Sequence, residues 1–156
     1  MLVLGRVSIT SVASAILLAR VLLASPFLYS GVDKCWRWSA AQREVAASGL
    51  PWPTLLHLIT VVVQLGGGFS VLLGIEPRLG ALLLLLFLIP VTVMYHPFWK
   101  RSGADIVVEA DHFLSNVAIM GGLLMLVALG GGPLSAVDHS LAQLFGDMAA
   151  AFGVAR

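Results

Sequence analysis

The chain has 156 residues, 59% of them hydrophobic and only 11% charged, with nine Lys and Arg against eight Asp and Glu. A soluble domain has about a quarter of its residues charged, so this composition excludes a surface that faces water all round. The near-neutral balance excludes a basic stripe for nucleic acid. A single membrane domain over residues 1–156 fits the length. Cys35 is the one cysteine, so an intrachain disulfide and any C-x-x-C chemistry are excluded as well.

Four stretches are apolar and long enough to cross a bilayer as helices, which takes about 17–25 residues. They fall at residues 9–31, 54–74, 79–96 and 113–130, and Arg20 is the only permanently charged side chain within them. Arg20 breaks the apolar run of the first span and only Arg6 precedes it, which argues against a cleaved leader. In the first loop Ser39 and Gln42 form a capping-box pattern and Gly49 is a stop, so a short surface helix is expected over 40–48.

Pro53 can open the second span, since the first helical position loses nothing by lacking an N–H. Gly74 ends it, and IEPR at 75–78 turns the chain directly into the third, making these two spans antiparallel neighbours. Pro90 is expected to kink the third span and free the carbonyl near Leu86. After the fourth span, Ser135 and Asp138 again resemble a cap. Val137, Leu141, Leu144, Phe145, Met148 and Phe152 then recur at helical spacing. The expected fold is all-α: an integral membrane four-helix bundle with an interfacial helix in loop 1 and an amphipathic C-terminal helix.

Four crossings put the first and third loops on one side. All four tryptophans lie there, with His57, His96 and His112. Interfacial aromatics usually anchor both surfaces, so their crowding onto one suggests that the two loops pack over the bundle mouth. On the second span His57, Thr60, Gln64, Gly67 and Val71 form one stripe, and a polar stripe in lipid must face protein or a cavity. Gly66, Gly67 and Gly68 remove bulk beside it, letting a neighbouring helix approach.

Arg20 and Gln64 both lie near mid-span, so Gln64 is the expected partner of Arg20. The pair either locks the bundle together with backbone carbonyls or faces a cavity and holds an anionic or quinone-like group. The three same-side histidines come from different helices without metal-ligand spacing, so no metal is expected. His112 and Asn116 share a face of the fourth span; Thr92, His96 and Trp99 align on the third.

Several pieces together resemble the DoxX family of small four-helix membrane proteins. They are AR at 19–20, LYSGVDK at 28–34, GLPWP at 49–53, VVVQLGGGFSVLLGIEPRLGALLL at 61–84, YHPFW at 95–99 and HFLSNVAIMGGLLML at 112–126. The resemblance implies a protein of the bacterial cytoplasmic membrane. The chain departs from the family at two positions: Gln64 stands where a glutamate that would neutralise Arg20 is usual, and Ser115 where a lysine is common. Members have been linked to quinone-dependent sulfur oxidation and oxidative-stress complexes.

No motif defines a reaction. The expected function is a component of a membrane redox system, binding a quinone or another apolar ligand and presenting it to a redox partner protein. The alternative is a non-catalytic membrane scaffold or lipid-binding protein; assembly as a homo-oligomer is compatible with either. Arg20, Lys34, His57, Gln64, His96, Trp99, His112 and Asn116 are the ligand-pocket candidates.

Overall fold

The computed structural model describes residues 9–140 and residue 143. Its elements are α1 (Ile9–Trp36), α2 (Trp38–Ala47), α3 (Pro53–Leu73), α4 (Pro77–Tyr95), a 3-10 turn (Phe98–Lys100) and α5 (Asp105–Leu129). Four helices are long and apolar enough to cross a membrane. Helix is the natural answer to a lipid solvent, because it satisfies every interior backbone group within its own segment.

Two spans are longer than their apolar runs. α1 continues past Gly31 to Trp36, and α5 begins at Asp105, eight residues before Phe113. At about 1.5 Å per residue α1 is roughly 42 Å long, more than the bilayer core requires. Its polar final turns are held by Lys34 donating to Ser30 Oγ at 2.5 Å and by the Arg37–Asp33 ion pair. Polar side chains end an apolar run without ending a helix.

The loop-1 helix forms as α2, without the expected capping box. No side chain caps it, and Gln42 reaches across to Thr54 on α3 instead. The Ser135–Asp138 device is also different: Asp138 accepts from Gly131 N–H at 2.8 Å and from Arg78 Nε at 3.2 Å, tying a loop rather than opening a helix. Val137 pairs with the backbone of Gly74 and Glu76. The expected amphipathic C-terminal helix lies outside the described residues. α4 runs unbroken through Pro90, which sits on the exposed surface.

The spans pack in sequence: α1 on α3, α3 on α4 and α4 on α5, with little between α1 and α5. Phe27, Val71, Leu84, Leu88 and Leu123 form the centre of the core. Close approach is made by leucines seated on glycines. A methyl group built on Gly67 would lie 2.7 Å from Leu84, and one on Gly68 2.7 Å from Leu28. Gly66 faces open space, so two of the three consecutive glycines are packing surfaces and the third is not.

Candidate functional site

The polar stripe of α3 does different work at its two ends. At the loop-2 end, Arg20 reaches from α1 to the carbonyls that finish α3. Its Nε donates to Val71 O and its Nη2 to Leu72 O, both at 2.8 Å; Nη1 donates to Gly131 O and Leu134 O, both at 3.2 Å. The last carbonyls of any helix lack intrahelical partners and carry the negative end of its dipole. A fully buried guanidinium with five N–H groups fits that need.

The expected Arg20–Gln64 pair therefore does not form. Val71 and Leu72 lie seven and eight residues beyond Gln64, about 10–12 Å along the helix axis. Arg20 instead borders a separate apolar recess of about 230 Å³ with Leu23, Gly122 and Met125. It is a structural clamp.

The other half of the bundle encloses a cavity of about 380 Å³. Phe27 from α1, Phe87, Leu88 and Val91 from α4, and Ile119 from α5 supply apolar walls. Ser30, Lys34, Thr60, Gln64, His96 and Asn116 supply polar groups, and Ala41, Glu44 and Val45 of α2 cover the top. Of the candidate residues, Lys34, Gln64, His96 and Asn116 line this cavity. Ser30 and Glu44 were not anticipated; the one signal for Ser30 is its position four residues before Lys34, on the same helix face.

Gln64 is the deepest amide. It is 6% exposed, its Nε2 donates to Ser30 Oγ at 3.2 Å, and its Oε1 is buried with no protein partner. Reversing the amide would only exchange which end is left unpaired. Asn116, half-buried on α5, lines the same cavity.

The remaining candidates stand around this cavity without lining it. His57 is fully buried at the start of α3, edge-on to Trp38 at 4.3 Å between ring centroids, with the backbone of Lys34 beside its ring. His112 contacts the ring of His96 at 5.1 Å, while His96 Nδ1 lies 2.9 Å from Glu109 Oε2. Trp99 does not cover the cavity: it packs on Phe98 and Phe113 beside the start of α5. The reason is the 3-10 turn after Pro97, which takes Trp99 off the α4 face shared by Thr92 and His96. Among the described residues no group of three or more His, Cys, Asp or Glu is arranged to hold a metal ion.

Four apolar spans, glycine-seated packing and a polar-ended cavity define a multi-pass membrane bundle. A family model described as DoxX matches residues 15–97, and the chain belongs to the DoxX family. It is 28% identical over 120 residues to the inner membrane protein YphA of Escherichia coli (strain K12), covering 77% of this chain and 86% of that one. It is 29% identical over 126 residues to the inner membrane protein YqjF of the same organism, covering 81% and 91%. The protein is a multi-pass component of the bacterial inner membrane. No solved structure gives a significant match.

Proposed function

We propose that this protein is a component of a membrane redox system and that its cavity binds a quinone or a similar apolar molecule with a small polar head. The observation that carries this reading is the unpaired Oε1 of Gln64, buried at span depth in the cavity wall. A buried acceptor without a partner costs about 1–3 kcal/mol, and a quinol hydroxyl would supply the missing donor. Lys34 and the Asn116 amide offer N–H groups to quinone oxygens, and Phe27 and Phe87 offer faces for a flat ring. The volume of about 380 Å³ lies within the range of about 300–1,000 Å³ usual for small-molecule sites. A bound quinone would carry electron pairs and protons between membrane partners, and the exposed Trp36, Trp52 and Trp99 mark the side on which a redox partner protein would dock.

A second reading, a non-catalytic scaffold or lipid-binding protein, is favoured by the engagement of Arg20 with structural carbonyls alone. Mass spectrometry of the protein purified in mild detergent separates the two. A co-purifying quinone in the wild type that is lost in Gln64→Leu supports the redox reading. Phospholipid alone, unchanged by that substitution, supports the scaffold.

A further inference from the structure

The cavity has two unequal sides. Toward the loop-1 surface it is covered by α2, held near its middle where Gln42 meets Thr54 and carrying Glu44 on the cavity lining with Lys34. Toward the lipid, the wall between α1 and α5 is incomplete. These two helices would close the ring of spans, yet they barely touch. Leu23 seats on Gly122, where a methyl group would lie 2.7 Å away, and Ile16 seats on Gly132 after the end of α5. Both contacts lie toward the loop-2 end. Nearer the loop-1 side, Pro26 and Ser30 of α1 and Asn116 and Ile119 of α5 stand on the cavity itself.

Asn116 makes this gap chemically informative. It lies well inside the span Asp105–Leu129, and its side-chain amide has no hydrogen-bond partner among the described residues. An unpaired amide facing hydrocarbon is costly; one beside the route of a ligand head group has a transient partner. Pro26, exposed and lacking an N–H, leaves the Leu22 carbonyl without its helical donor, and Ser25 Oγ donates to it instead.

From these features we infer that the ligand enters from the bilayer between α1 and α5, and that its apolar tail stays in this seam while its head lies against Gln64, Ser30 and Lys34. The inference rests on the quinone-type reading above and adds the substrate class: a head group bearing a single long alkyl or isoprenoid tail. Lipid on one side and a charged helix on the other give each end of such a molecule its own solvent.

The test uses the wild-type protein in lipid nanodiscs and a decyl-benzoquinone carrying a diazirine at the tail end. After photolysis, the mapped label falls on α1 and α5 residues flanking the seam and is displaced by excess unlabelled decyl-benzoquinone. Displaceable label confined to α2 and the first loop overturns the lateral route while leaving quinone binding intact. If no label is displaceable, the ligand reading and the route fall together. As a second measurement, Pro26→Trp and Ile119→Trp, both on the cavity wall at the seam, weaken decyl-benzoquinone binding about tenfold more than they weaken tail-less benzoquinone binding. Equal loss of both probes signifies a filled pocket rather than a blocked seam, and counts against the route.

Discussion

The Nε of Arg20 and the carbonyl of Val71, 2.8 Å apart, join the middle of α1 to the last turn of α3. The same guanidinium binds Leu72, Gly131 and Leu134, so one side chain closes a helix end and holds the loop that follows α5. Gly74 belongs to this arrangement. It takes a left-handed conformation with φ 70°, and a methyl group there would strike the guanidinium.

Arg20→Leu is therefore expected to lower stability by on the order of 3 kcal/mol or more, since several buried carbonyls lose their donors at once. Arg20→Lys recovers part of this, because an ammonium has three donors and no planar fork. Thermal unfolding in detergent measures both. A leucine variant that melts with the wild type would show that the clamp is dispensable.

Gln64→Leu has a different expected signature. It removes one hydrogen bond to Ser30 and one unpaired buried oxygen, opposing effects that leave stability within about 1 kcal/mol. Quinone affinity falls about tenfold. Gln64→Glu is tolerated, its charge lying near Lys34 through Ser30 rather than near Arg20. A large loss of stability in Gln64→Leu with unchanged ligand content would reverse the assignment.

The glycine run offers an internal control. Gly67→Val forces a branched side chain against Leu84 and the carbonyl of Gly80, and overpacking of this kind costs about 1–3 kcal/mol. Gly66→Ala meets nothing within 4 Å and should leave the melting temperature unchanged or slightly raised. Similar melting of the two variants would mean that α3 and α4 do not approach at Gly67.

Arg78 is a second clamp, donating to Val127 O at 2.9 Å and Ala128 O at 2.7 Å and pairing with Asp138. Arg78→Ala leaves the end of α5 uncapped and is expected to cost about 1–2 kcal/mol. Hydrogen exchange at the last turn of α5 should accelerate while the centre of α4 stays protected.

Orientation follows from charge. Lys34, Arg37, Arg43, Lys100 and Arg101 lie on the loop-1 and loop-3 side, against Arg78 in the second loop. The positive-inside rule then predicts cytoplasmic loops 1 and 3 with both termini on the opposite side. A C-terminal alkaline phosphatase fusion should be active, and a green fluorescent protein fusion dark; the opposite pair of results inverts the topology.

Composition and run length by themselves determined the membrane class, the four spans and the α3–α4 hairpin. Lipid leaves so few solutions for a backbone that an apolar run of twenty residues can hardly be anything but a helix. The stripe through Thr60 and Gln64 was legible for the same reason, since a mid-span amide must face away from lipid. The partner of Arg20 was not legible, because it is a set of backbone carbonyls, and every residue has one. Only the packing of α1 against α3 decides which of them stand unpaired within reach. The division of the polar residues into a clamp at Arg20 and a cavity at Gln64 likewise belongs to tertiary structure. It depends on how far along α3 each side chain of α1 lands, and no pattern within either helix records that offset.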